Sequence, residues 1–297
     1  MENNFELTEE EKKLVQKIIY EYTLTVKPSQ EPTIHFLVAP PGAGKTGMEI
    51  YLKNKMQREG EDTVQVGADK LATYHPDYEK WLQLPSKECY KISRRFTGPA
   101  SQIIYPELRK KHMNMIYEKT FHKGEKDLEL VKKFKDAGYK VYINIMATDK
   151  YESLLSCYER DIKSAEIGLT PRPIARENFD KMYNHFLSEI ITMEQRGLCD
   201  SVRVFTRGKK MFEPNLVYQS GDSNYMNVYQ AVEEERKKQR RKVLGEGRII
   251  FQKRICEAIQ NTKNVISNDK IREQSLEGLY RLQREYFQEL SQDMNLE

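Results

Sequence analysis

The residues with the clearest chemical potential stand together at Ala39-Pro40-Pro41-Gly42-Ala43-Gly44-Lys45-Thr46. Small residues let successive backbone N–H groups turn into one anion-sized nest. A Lys then reaches the β- and γ-phosphates, and a hydroxyl at a helix N-terminus serves Mg²⁺. Pro41, Gly42, Ala43, Gly44, Lys45 and Thr46 are therefore expected to hold a nucleoside triphosphate, with Ala39 standing where the pattern has its first Gly. Such a loop says what is held and not what is done with it, because transferases, hydrolases and switches share it.

Two carboxylates narrow the choice. Asp69, in Gly67-Ala68-Asp69-Lys70, falls at the carboxyl end of a short apolar run. That is the crevice where open α/β sheets bind ligands, and a carboxylate there can take a proton from an attacking hydroxyl. Its plainer reading is a helix N-cap. Glu118 directly follows the apolar run Met113 to Tyr117, a position where a charge is costly unless a ligand or partner meets it. From their own surroundings, Arg160 reads as a residue on the polar face of Tyr151 to Ala165, and Arg172 as a loop charge between Pro171 and Pro173. His35, His75, His112, His122 and Cys89 lack metal-ligand spacing, which argues against zinc.

These groups need a frame. Thr33 to Val38 reads as a buried strand running into the turn Ala39 to Gly44, with a helix from Lys45. Runs of strand length recur at Thr63 to Val66, Met113 to Tyr117, Val141 to Ala147 and Val202 to Thr206. Helical stretches between them include Leu128 to Ala137 and Tyr151 to Ala165, and an amphipathic helix over Glu9 to Thr23 opens the chain behind a capping-box start at Thr8. Strands alternating with helices imply an α/β fold whose parallel sheet is covered on both faces. Beyond Pro214 no run reads as a strand, whereas Met226 to Lys242, Arg248 to Gln260 and Lys270 to Asp293 read as polar helices. A boundary is placed there, giving a sheet-bearing domain over 1–214 and a helical extension over 215–297. Within the extension, Glu233 to Lys242 reads as a solvated helix face, since no aromatic residues are interleaved for base stacking. Leu276, Leu279, Leu282, Tyr286 and Leu290 form an apolar stripe expected to dock on the core.

The chain has 297 residues, 38% of them hydrophobic and 32% charged, enough for one sizeable α/β domain with an appendage. Its net charge of +4 is too small to argue for nucleic-acid binding by bulk electrostatics. Cys89, Cys157, Cys199 and Cys256 form no CxxC pair, and Met1 to Glu11 is polar and acidic, which argues against disulfides and a secretory signal. Apolar runs such as Ile34 to Pro41 fall well short of the roughly 20 residues that cross a bilayer. Free thiols, a cytoplasmic location and no membrane partner are expected.

From about Ile34 to Phe212 the sequence resembles the zeta-toxin family of bacterial toxin–antitoxin systems, P-loop kinases that phosphorylate UDP-N-acetylglucosamine. The resemblance rests on elements in order. They are Gly44-Lys45-Thr46; Asp69 followed by His75-Pro76; Tyr117-Glu118-Lys119-Thr120; Ala137-Gly138-Tyr139-Lys140-Val141; Tyr158-Glu159-Arg160; Thr170-Pro171-Arg172; and Val202-Arg203-Val204-Phe205. It implies a P-loop kinase-like sheet with ATP and Mg²⁺ as cofactors, Lys45 on the ATP phosphates and Thr46 at the metal. It further implies Asp69 as the base for the sugar 3′-hydroxyl, Glu118 and Thr120 on the amino sugar, and Arg160 and Arg172 on the transferring phosphoryl group. Gln102 and His122 occupy substrate-contacting positions where the family has Glu and Arg. Gly67 stands where the family has a further Asp, and Lys119 where it has Gly. The resemblance also implies a UDP-sugar substrate and a separate antitoxin protein as partner. Other readings stay open, namely a kinase for a different hydroxyl (a nucleotide ribose, an antibiotic, a nucleic-acid 5′ end) or a non-catalytic nucleotide-binding module.

Overall fold

The computed structural model describes residues 5–294 apart from 122, 209, 211, 223 and 226. Helix α1 (Glu9–Thr25) opens with the expected capping box: the Glu11 amide donates to Thr8 Oγ1 at 3.2 Å and the Thr8 amide to Glu11 Oε2 at 2.7 Å. Strand β1 (Thr33–Val38) is buried throughout, as a central strand must be, and leads through the glycine loop into α2 (Lys45–Arg58). There follow β2 (Val64–Val66), the short α3 (Ala68–Ala72) and α4 (Tyr78–Leu82), the long α5 (Ser86–Lys110) and β3 (Met115–Glu118). Next come α6 (Glu125–Asp136), β4 (Lys140–Met146), α7 (Lys150–Glu166), α8 (Arg176–Gln195), β5 (Ser201–Thr206) and β6 (Asn215–Gln219). Three helices close the described chain: α9 (Val228–Leu244), α10 (Arg248–Val265) and α11 (Asp269–Met294).

The six strands form one sheet in the order β2-β3-β1-β4-β5-β6. The first five are parallel, and β6 runs antiparallel to β5. Leu37 of β1 is in register with Glu118 on one side and Asn144 on the other, so the carboxyl ends of β1, β3 and β4 share one rim. His35 is a core residue of β1. It stacks on Tyr142 with centroids 4.8 Å apart, and burial pushes its pKa down to about 3.

Strand β6 corrects the expectation that nothing beyond Pro214 pairs. Five residues, of which Leu216 is exposed and Tyr218 buried, are too few and too wet to stand out as an apolar run, yet they extend the sheet past the expected boundary. The three tail helices form where the sequence places them, although Met226, the expected start of the first, lies outside the described residues. The apolar stripe docks as expected: Leu279, Leu282 and Tyr286 of α11 are fully buried in a second core with Tyr151, Leu154, Leu155 and Tyr158 of α7. Gly278 makes the approach possible, for a Cβ there would lie 2.0 Å from the Tyr158 hydroxyl.

The charged run on α9 is not a uniformly solvated face. Arg236 lies over the Tyr183 ring at 4.0 Å and Arg240 over Tyr151 at 4.1 Å, while Arg240 also pairs with buried Asp149 and with Glu289. A guanidinium can stack and fork at once, so arginines that read as solvent-facing act as staples. Glu234, Lys237, Lys238, Arg241 and Lys242 do face water.

Candidate functional site

The glycine loop is shaped from behind. Gly42 and Gly44 take left-handed backbone angles, φ 76° and 103°, and a Cβ on Gly42 would fall 2.0 Å from the Ser153 carbonyl oxygen. Ser153 Oγ donates to the Pro41 carbonyl at 2.7 Å, and Thr148 Oγ1 to that of Ala43 at 3.0 Å. Arg207, the first residue beyond β5, donates through Nε to the Ala43 carbonyl at 3.3 Å and through its terminal nitrogen to that of Gly42. In a trans peptide the N–H points opposite to the C=O. Carbonyls tied outward at Pro41 and Ala43 therefore turn the amides of Gly42 and Gly44 toward the other side, whereas that of Ala43 donates to the Pro40 carbonyl at 3.2 Å. The amides of Gly42, Gly44, Lys45 and Thr46 donate to no protein acceptor among the described residues. With the exposed Thr46 hydroxyl beginning α2, this donor set fits a polyphosphate and its Mg²⁺. Among the described residues no group of three or more His, Cys, Asp or Glu side chains could hold a metal ion.

Lys45 Nζ lies 2.6 Å from Glu118 Oε1, across the seam between β1 and β3. The loop and the expected acceptor carboxylate thus touch, although they stand at the ends of different strands. Glu49, one turn along α2, joins them. Burial first, and the Glu118 charge second, push its carboxyl above the ordinary range, with Lys70, Lys53 and Lys45 pulling it back. Sequence reasoning passed over Glu49 because a Glu inside a helix carries no local signal.

Asp69 is exposed in the first turn of α3. The N-cap of that helix is Gly67, which overturns the plainer reading of Asp69 as the cap. Burial raises the pKa of the Tyr78 hydroxyl, with Arg172 opposing and Asp69 adding to the rise. Arg172 also donates to Cys89 Sγ at 2.9 Å. Arg160 projects from α7 with more than half of its side chain exposed, 3.4 Å from the buried carboxylate of Asp161. The Asp161 charge is also favoured by Arg172, so one buried carboxylate bears on both arginines. Burial pushes Asp161 above its ordinary value, with Arg160 and Arg172 opposing.

Thr120 lines a small cavity with Val38, Ala39, Phe121 and Phe186. Lys119 turns away to Asp127 at 3.1 Å. His122 lies outside the described residues. Gln102 does not join the loop: it is exposed on α5 and borders a cleft against α1 with Leu7, Lys12 and Gln16. Arg207 was legible in principle by the rule that selected Asp69 and Glu118, since it too stands just past a strand's carboxyl end.

The family model described as Zeta toxin matches residues 19–221, more than half of the chain. This chain belongs to the zeta toxin family. Toxin zeta of Streptococcus agalactiae is 23% identical over 185 residues, which is 62% of this zeta toxin family chain and 63% of that protein, so less than two thirds of the relative's length is spanned. Toxin PezT of Streptococcus pneumoniae serotype 4 is 23% identical over 188 residues, 62% of this chain and 72% of that one. Among solved structures, a chain of the PezAT chromosomal toxin–antitoxin system of Streptococcus pneumoniae shares the fold, with a TM-score of 0.67 and 19% identity, over 86% of this chain and 98% of that one. An AvrRxo1-ORF1:AvrRxo1-ORF2 complex with ATP contains a chain of similar fold, with a TM-score of 0.54 and 14% identity, over 92% of this chain and 86% of that one. The zeta toxin fold therefore accounts for the P-loop kinase-like sheet, and no described helix is long and apolar enough to cross a membrane.

Proposed function

We propose that this zeta toxin family chain is a cytoplasmic ATP-dependent kinase for a small-molecule alcohol, with the 3′-hydroxyl of UDP-N-acetylglucosamine the leading acceptor and a separate antitoxin protein as its partner. The observation that carries the reading is the contact between Lys45 and Glu118, which joins a loop of inward-facing amides to a carboxylate at the acceptor-side strand end. When bound, Mg²⁺ neutralises charge on the phosphates of ATP. Lys45, leaving Glu118, would meet the β- and γ-phosphates, and Glu118 would then be free to accept a hydrogen bond from the acceptor. Asp69 would take the proton of the attacking hydroxyl. Arg160 and Arg172, both favoured by the Asp161 charge, would face the three equatorial oxygens on which charge develops, and guanidiniums suit that task better than an ammonium. The position of Gln102 beside α1 leaves the acceptor side with one contact fewer, so the acceptor screen should extend beyond UDP-sugars to other alcohols.

Asp69→Asn separates a catalyst from a nucleotide-binding module. A general base contributes roughly 10²- to 10⁴-fold to rate and little to nucleotide affinity. The variant is expected to keep its melting temperature and ATP affinity while losing phosphoryl transfer by about that factor. Transfer is read as ATP consumption and product mass against a panel of UDP-sugars. Full activity in Asp69→Asn would remove the base and return the module reading.

A further inference from the structure

The helices beyond the family match reach the phosphate loop through charges. Arg254 of α10 forks onto two residues of α7: Nε and one terminal nitrogen hold Glu159 at 2.9 and 3.0 Å, and the other holds both oxygens of Glu152 at 2.9 and 2.8 Å. Glu152 in turn lies 3.8 Å from Arg207, whose guanidinium grips the Gly42 and Ala43 carbonyls and Ser156 Oγ. Burial works against the charge of Arg254, but Glu159 and Glu152 more than offset it and hold the group above the ordinary arginine range. Arg207 is less well compensated: burial pulls it below its ordinary value despite Glu152 and Glu159.

We propose that Arg254 is a positioning residue for the nucleotide, acting through Glu152 and Arg207 to keep the loop carbonyls pinned outward and the amides turned toward the phosphates. The inference rests on the kinase reading only as far as nucleotide binding. The physical basis is competition for a carboxylate. With Arg254 in place, Glu152 is neutralised by one terminal nitrogen of that guanidinium set against both oxygens and leaves Arg207 at 3.8 Å, free to spend its donors on the loop. Without Arg254, Glu152 is a partly buried carboxylate with Arg207 as its nearest cation. Closing that gap to a full ion pair draws the guanidinium off Gly42 and Ala43, leaving the Gly42 carbonyl unheld and the Ala43 carbonyl, which sets the Gly44 amide, held by Thr148 alone. A residue outside the family match would thereby set the affinity of the family's own loop.

The test is calorimetric titration of the full chain with Mg²⁺ and the non-hydrolysable ATP analogue AMP-PNP, well below each variant's melting temperature. Arg254→Met is expected to weaken binding about tenfold, the effect of a coupling of about 1.4 kcal/mol. Arg207→Met is expected to weaken it at least as much, and the double variant no further, because both act through one set of carbonyls. Glu152→Gln introduced beside Arg254→Met is expected to restore affinity, since it removes the competitor for Arg207. A merely structural staple between α10 and α7 would lower the melting temperature and leave the affinity of the folded protein unchanged, or add to Arg207→Met; either result overturns the proposal. If Arg254→Met does not fold, Arg254→Lys keeps the charge but cannot fork onto both carboxylates, and unchanged affinity there overturns it equally. A wild type that fails to bind AMP-PNP defeats the nucleotide reading before any substitution is made, and this inference with it.

Discussion

Lys45 and Glu118 hold each other at 2.6 Å, so a change at either is felt on both sides of the site. Glu118→Gln removes the carboxylate that competes with phosphate for Lys45. Exposed ion pairs contribute up to about 1 kcal/mol, which is about fivefold in Kd. The variant is therefore expected to bind ATP up to that factor more tightly while its acceptor binding weakens, and weaker ATP binding in the same titration would assign Glu118 to the magnesium shell. Asp161 supports a second prediction. Its folded-state pKa is raised above the ordinary 3.8, so the native state holds the proton more firmly than the unfolded chain does. The cost of its charge is absent below that value, grows as pH rises through the raised pKa and is complete beyond it. Asp161→Asn is expected to melt higher than wild type at neutral pH, with the difference vanishing toward pH 4, and to transfer phosphoryl groups more slowly because Arg160 loses the charge that holds it. Melting curves across pH together with initial rates check both halves.

Helix α7 is the element on which the site turns, because its first turns press on the glycine loop and its later ones present Arg160. Gly42→Ala would force a side chain into a left-handed backbone and against the Ser153 carbonyl. The strain is of order 1–3 kcal/mol. A lowered melting temperature and loss of ATP binding are expected; unchanged ATP binding would show that α7 does not shape the loop. The elements themselves were largely legible. The five parallel strands and the three tail helices lie within a few residues of their apolar runs, because a strand buried on both faces needs a continuous run and an amphipathic helix a stripe. Strand β6 was not legible, since an edge strand half in water has no such run. The nest was written in Gly42, Gly44, Lys45 and Thr46, whereas what holds it open was not: Thr148, Ser153 and Arg207 are more than a hundred residues away, and only folding sets them beside it.

At the scale of the whole molecule, two cores meet at α8 and α9, each of which buries one part in the sheet core and another in the core shared with α7, α10 and α11. The tail is bound to the rest by Arg236 on Tyr183, Arg240 on Asp149 and Arg254 on Glu152 and Glu159, so these three tail cations each have an address in the first two hundred residues. The pinned loop has a bearing on biosynthesis. Gly42 is synthesised before Arg207, which grips its carbonyl and follows 165 residues later. At roughly 5–20 residues per second that is an interval of roughly 8–33 s. Throughout it the growing polypeptide carries the glycine motif without the guanidinium that orients it, and the nascent chain is a poor ligand for nucleotide until translation has passed residue 207.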